Sequence, residues 1–241
     1  MSEKITVITV CFNALEMLKK TMQSVDSQHY SNLEYIIIDG GSTDGTADYL
    51  QSYQGKLTKY VSEPDKGIYD AMNKGVSMST GSYVIFLNAG DLFADEHTLE
   101  NITESEISDA DVVYGDVLKA DKDGNLIRKP AEKTHNAHKM YFCHQSSLTK
   151  RECLLQYPFD LRYKMSADFN FFKTLTKKDK IFKQLDMPIA IFDTSGVSNT
   201  RRSKGLKENI CIVKEQDGFF DKIRLLPRLY FVYIYARLRG K

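Results

Sequence analysis

A β-branched run, Ile5-Thr6-Val7-Ile8-Thr9-Val10, opens a regular alternation of strand-like and helix-like segments through the first half of the chain. Such a run reads as a buried strand. Leu15, Leu18, Met22 and Val25 then recur at helical spacing over 14–28. A second strand over 34–38 stops at Asp39-Gly40-Gly41. A short helix over 43–53, a strand over 57–61, a helix over 67–79 and a strand over 82–87 follow. This alternation predicts an α/β fold with a mostly parallel sheet covered on both faces. In such sheets ligands bind where the strands end at their carboxyl edge.

The second half is less regular. Residues 111–118 and 125–129 read as a hairpin around Asp121-Lys122-Asp123-Gly124. Residues 133–150 hold His135, His138 and His144 without clear periodicity. A Phe-rich helix is expected over 166–177, and one or two strands over 181–193 around Pro188. Residues 195–205 form a polar, basic loop, and two helices, at about 204–217 and 222–238, end the chain.

Composition narrows the class. With 241 residues, 42% of them hydrophobic and 27% charged, the chain can bury one large core or two small ones. Disorder and a disulfide scaffold are excluded as whole-chain readings. A net charge of +1 does not suit a general nucleic-acid binder. The charge is uneven: Lys222, Arg224, Arg228, Arg237, Arg239 and Lys241 crowd the last segment without an acid, leaving a mildly acidic body. Cys11, Cys143, Cys153 and Cys211 form no C-x-x-C pair and read as buried thiols of a reducing cytoplasm. Glu3 and Lys4 run straight into a strand, unlike a signal peptide, and no apolar run approaches the roughly 20 residues of a spanning helix.

Five segments carry chemistry. Asp39 ends a hydrophobic strand before two glycines, an acceptor at the sheet's ligand-binding edge. Ser42 or Thr43 is expected to cap the next helix, with Asp44 in its first turn. Neither a G-x-G-x-x-G loop nor a Walker loop is present. In residues 62–75, Ile68, Ala71, Met72, Gly75, Val76 and Ser79 share a core face, while Lys66, Asp70, Asn73 and Ser77 share the other. Phe86-Leu87-Asn88-Ala89-Gly90-Asp91 runs a strand into a polar turn whose Asp91 can hold a divalent cation. Asp168 lies in the first turn of a helix after Ser166, where a carboxylate can take a proton from a hydroxyl. His144-Gln145 is the fifth; the three histidines lack zinc-ligand spacing. Taken singly, each segment also suits a plain role: a capped turn, a solvated face, a helix N-terminal acid.

Their order adds more. Val10-Cys11-Phe12-Asn13, Ile36-Ile37-Ile38-Asp39-Gly40-Gly41-Ser42-Thr43-Asp44-Gly45-Thr46, Ser62 through Gly75 (SEPDKGIYDAMNKG), the Asn88–Asp91 turn, His144-Gln145 and Ser166-Ala167-Asp168-Phe169 together resemble the family 2 glycosyltransferases. Within that family the likeness is to bacterial enzymes that build colanic acid, capsules and O-antigens, and it covers about residues 4–200.

The resemblance implies a GT-A fold: a Rossmann-like nucleotide-binding half (1–115) fused to an acceptor-binding half (116–200), with a C-terminal helical extension (201–241). It implies that Thr9, Cys11 and Asn13 line the nucleotide pocket and that Asp39 binds the base, most often uracil. Asp65, Lys66, Asp70, Asn73 and Asn88 would border the donor. Asp91 matches the last residue of a metal motif for Mg²⁺ or Mn²⁺, Asp168 the general base, and His144 and Gln145 a pair near the acceptor or diphosphate. Two departures stand out: Asn88, Ala89 and Gly90 replace the acids that usually precede Asp91, and Met72 stands where many members have Arg.

The implied reaction is an inverting transfer from a nucleotide sugar, UDP-linked by this reading, to a saccharide hydroxyl. The basic end, with Leu225, Leu226, Leu229, Phe231, Val232 and Ile234 among arginines and tyrosines, suits either a helix at a membrane interface or one packed on the body or a second subunit. Pro227 is expected to break it near its start. These readings together describe a cytoplasmic enzyme, peripheral on the inner membrane, with a lipid-diphosphate-linked acceptor; a homo-oligomer stays open. Two rivals are a non-catalytic nucleotide-sugar-binding or scaffold protein on the same fold, and a nucleotidyltransferase. The second would carry a Gly-rich basic loop where Cys11-Phe12-Asn13-Ala14 stand.

Overall fold

Strand β1 (Ile5–Cys11) is buried at every position, and the sheet is built outward from it. The computed structural model describes residues 3–121, 124–193 and 202–239. After β1 come α1 (Leu15–Asp26), β2 (Leu33–Asp39), α2 (Thr46–Ser52), β3 (Leu57–Ser62), α3 (Ile68–Met78) and β4 (Tyr83–Phe86). Next are β5 (Leu92–Phe93), α4 (Thr98–Glu104), β6 (Val112–Ala120), β7 (Leu126–Lys129) and a 3₁₀ turn (His144–Ser146). The chain continues through β8 (Ser147–Lys150), α5 (Arg151–Gln156), α6 (Ala167–Lys177), β9 (Phe182–Phe192), α7 (Arg202–Gln216) and α8 (Phe219–Leu238).

The strand order is β3-β2-β1-β4-β8-β6-β9-β5, with β7 added on β6. β1, β2, β3 and β4 pair in parallel, and β8 turns the sheet antiparallel between β4 and β6. The expected alternation is therefore present, and β1–β2 register places Cys11 beside Asp39 at the carboxyl edge. Two apolar layers cover the sheet. One joins Ile8, Ile36 and Ile38 to α3, α5, α6, α7 and α8; the other joins Ile5, Val7 and Ile37 to α1 and α4. Each fully buried Ile contributes about 1.5–3 kcal/mol over an exposed one. Gly75 lets α3 lie close on β1, since a Cβ there would stand 2.6 Å from Ile8 Cγ2.

Several expectations need correction. β8 and α5 lie where no helix or strand was read, because each is too short to show a period and is specified by its neighbours. β9 is one strand through Pro188; the register with β6 shifts around Asp116, its partner, so the missing N–H falls at an irregularity. α7 starts at Arg202, inside the expected loop, whose residues 195–201 lie outside the described residues. α8 starts at Phe219 and continues through Pro227, which cannot donate a helix hydrogen bond there. Cys211 is exposed and Cys143 partly so, not buried. Ile68 is exposed despite its core-face spacing, because it sits in the first turn of α3 at a cavity edge.

Buried charge ties the C-terminal helices down. Lys173 on α6 pairs with Asp217, between α7 and α8, at 2.7 Å, and Lys177 reaches the same carboxylate at 3.0 Å. Leu225 and Leu229 of α8 join the core. No helix among the described residues is long and apolar enough to cross a membrane.

Candidate active site

A cavity of about 940 Å³ opens at the carboxyl ends of β1 and β4 and extends under β6 and β7. Cys11, Asn88, Asp91, His144, Gln145 and Asp168 all line it. They come from separate parts of the chain: the end of β1, the turn after β4, the 3₁₀ turn and the start of α6.

Asp168 is held from across the molecule. Its Oδ1 accepts the Tyr69 hydroxyl at 2.9 Å and the Phe169 N–H at 2.9 Å. Burial and the Asp168 charge push the Tyr69 phenol far up, so Tyr69 stays protonated and donates. Among the described residues Oδ2 accepts no hydrogen bond. Ser166 precedes the helix as expected, but its hydroxyl donates to the Gly205 carbonyl instead of capping α6.

Asp91 is buried at a turn made by Gly90, whose φ is +102°. Thr21 of α1 braces this turn, donating to the Asp91 carbonyl and accepting from Gly90 N–H. Burial pushes the Asp91 carboxyl up to about 7; the Asp193 charge adds to this, while the Asp193 N–H at 2.9 Å and the Gln145 side chain oppose it. His144 packs among Phe86, Phe159 and Phe172. Burial lowers its pKa and the Asp168 charge works against that, which leaves a neutral ring at pH 7. His144 Nε2 and Asn88 Oδ1 are buried without hydrogen-bond partners among the described residues. Such polar atoms on a cavity wall are open to an ordered water, an ion or a ligand.

The remaining expected residues stand at the edge or behind it. Thr9 is fully buried and donates to the Leu87 carbonyl at 2.7 Å; it does not line the cavity. Asp39 is fully buried and accepts from the Ser42 and Ser62 hydroxyls and from Ser42 N–H. Asn13 takes a positive φ of 49° and accepts from Thr43 N–H. Asp65 accepts from Gly67 N–H and Asp70 from Lys66 N–H, so both carboxylates shape the turn before α3. Asn73 makes paired bonds to the Phe159 backbone. Ser42 and Thr43 do not cap α2. The N-cap position is Gly45, without a side-chain cap; Asp44 just before it accepts from Thr46 N–H and hydroxyl, and it also receives Leu15 N–H at the start of α1.

Sequence reading passed over Tyr69, Phe12, Asp193, Lys119 and Lys129, all on the cavity wall. Tyr69 lay inside a recognised motif but showed no partner there; the lysines needed the β6–β7 register.

Asp91 and Asn88 offer hard oxygen donors to the cavity, a set that suits Mg²⁺ or Mn²⁺. The groups of three or more His, Cys, Asp or Glu close enough to share a metal among the described residues, His29-His97-Glu100 and Asp111-Glu152-Cys153, lie off the cavity and do not include Asp91.

Residues 6–176 match the model of Glycosyl transferase family 2. The chain belongs to that family. A PGL/p-HBAD biosynthesis glycosyltransferase of Mycobacterium bovis is 28% identical over 204 residues, which span 81% of this chain and 79% of the relative. Glycosyltransferase GlyG of Streptococcus pneumoniae is 30% identical over 131 residues, 52% of this chain and 43% of GlyG. Among solved structures, S. aureus TarS 1-349 in complex with UDP superposes with a TM-score of 0.64 at 17% identity, covering 90% of this chain and 67% of that one. Mannosyltransferase PcManGT from Pyrobaculum calidifontis, in complex with GDP-Man and Mn²⁺, gives 0.69 at 16% identity, covering 98% and 69%. This family 2 chain is a glycosyltransferase with the GT-A fold.

Proposed function

We propose that this glycosyltransferase transfers a sugar with inversion from a nucleotide sugar, uridine-linked by preference, to a hydroxyl of a saccharide acceptor. The acceptor is lipid-diphosphate-linked and belongs to cell-surface polysaccharide synthesis of the O-antigen or capsule type. The observation that carries this reading is one cavity holding a braced carboxylate, Asp168, together with Asp91 and two orphaned polar atoms.

In this reading residues 1–115 bind the donor, with Thr9, Cys11, Asn13 and Asp39 around the base and Asp65, Lys66, Asp70, Asn73 and Asn88 along the donor's edge. Residues 116–200 bind the acceptor, and His144 and Gln145 face the acceptor or diphosphate. Asp91, with Asn88 beside it, would hold Mg²⁺ or Mn²⁺, which when bound stabilises negative charge on the departing diphosphate. Asp168 takes the proton from the acceptor hydroxyl as that oxygen attacks the anomeric carbon. Tyr69 keeps Oδ1 occupied, so the proton goes to Oδ2. The wall of Phe86, Phe159 and Phe172 keeps the His144 ring neutral and fixed.

The extension 201–241 acts as a peripheral anchor on the inner face of the cytoplasmic membrane. Supporting this, Phe220, Ile223, Phe231, Ile234 and Leu238 are exposed on α8, while Leu225, Leu229 and Ala236 pack inward. Arg224 and Arg228 border the apolar row. Pelleting of the full chain with anionic vesicles should fall sharply in a Phe231→Glu/Ile234→Glu variant; equal pelleting removes the anchor.

The donor is tested by thermal stabilisation with uridine and guanosine diphosphates and their sugars, with and without Mn²⁺. A ligand at 100 times its Kd adds about 2.7 kcal/mol. No shift with any nucleotide would overturn the donor reading.

A further inference from the structure

The β6–β7 hairpin forms a cavity wall beside β9, on the other side of β8 from the parallel strands. Its cavity-facing residues follow the period of two: Gly115, Val117 and Lys119 on β6 all line the cavity, and Lys129 on β7 is the register partner of Val117. Both lysines therefore stand on the cavity face. The alternate face carries Asp116, whose carboxylate is taken by Arg128 and by Ala131 N–H, so it does not neutralise them. Lys119 is half-buried, with its ammonium 4.6 Å from the centre of the Phe192 ring. Among the described residues neither Lys119 nor Lys129 makes an ion pair. Two ammonium groups on one concave wall, without an ion pair among the described residues, attract an anion, and a phosphate group matches their donors.

Position separates this anion from the donor's. Phe192 is the register partner of Lys119, and the next residue, Asp193, donates its N–H to Asp91. Lys119 thus stands one strand from the Asp91 side, and Lys129 stands one strand farther and two residues along, a diagonal neighbour about 7–8 Å away. A diphosphate held at Asp91 leaves Lys129 toward the outer rim.

We infer that Lys119 and Lys129 form a subsite for a phosphate carried by the acceptor, distinct from the place of the donor's diphosphate. This rests on the proposed acceptor half and names its charge.

The probe is inorganic pyrophosphate, titrated calorimetrically into the metal-free full chain. UDP is titrated separately in the presence of Mn²⁺. Lys119→Ala/Lys129→Ala is expected to weaken pyrophosphate at least tenfold and to change UDP affinity less than twofold. Lys133→Ala, off the cavity, should change neither. Parallel weakening of UDP would assign the lysines to the donor instead. Pyrophosphate binding that is absent, or indifferent to the double substitution, would overturn the subsite. A wild type that binds pyrophosphate through these lysines but never binds UDP would sink the donor reading and leave the anion subsite standing.

Discussion

The Tyr69 hydroxyl donates to Asp168 Oδ1 at 2.9 Å, joining α3 of the parallel sheet's cover to the first turn of α6 across 99 positions of sequence. The bond positions the proposed base from outside its own helix. Tyr69→Phe removes it while keeping the ring that packs on Phe159. Turnover is expected to fall about ten- to a hundredfold, as small misplacements of a reacting group do. UDP affinity should be unchanged. A variant as active as wild type would show that Asp168 needs no such brace.

Asp91 is the carboxylate proposed to hold the metal. Asp91→Asn keeps the shape of the turn and removes the charge that attracts the cation. Mn²⁺ should then no longer raise UDP affinity, whereas the wild type should bind UDP at least tenfold more tightly with Mn²⁺ than without. An undiminished Mn²⁺ effect in the variant would move the metal elsewhere.

Asp217 gives a pH-dependence of stability. Burial pushes its carboxyl up, but the hydrogen bonds from Lys173 and Lys177 outweigh this and hold it below the usual carboxylate range. A folded-state value below the unfolded one stabilises the protein above the unfolded value, about 3.9, and that stabilisation disappears as pH falls through the folded value. Asp217→Asn strands two lysines, one of them buried, and should cost about 3–5 kcal/mol at neutral pH. Denaturant midpoints measured from pH 7 to 3 should show a smaller acid-side loss in the variant than in wild type. Parallel curves would mean that the pair contributes nothing.

Much of the parallel half was legible because β1, β2 and β4 are buried apolar runs that alternate with helices of clear period. Asp39 and Asp91 follow such strands, whereas Asp168 was marked by its place in the first turn of a helix after Ser166. The remainder depended on neighbours. β8 is four residues long and exists because β4 and β6 flank it. Pro188 left one strand or two open, and a single strand passes through it at a register shift. Asp65, Asp70 and Asn73 carry recognisable motif chemistry, but their hydrogen bonds go to turns and to the Phe159 backbone. Tyr69–Asp168 and Lys173–Asp217 are invisible along the chain because only tertiary packing brings them together.

The central claim is that Asp168 is the base of a nucleotide-sugar transfer. Its most direct test is release of UDP from a UDP-sugar, in Mn²⁺, by wild type and by Asp168→Asn side by side, with UDP affinity measured on both. The account predicts slow release by the wild type, a fall of about 10² or more in the variant, and equal UDP affinity. Equal release rates with equal affinity would contradict it.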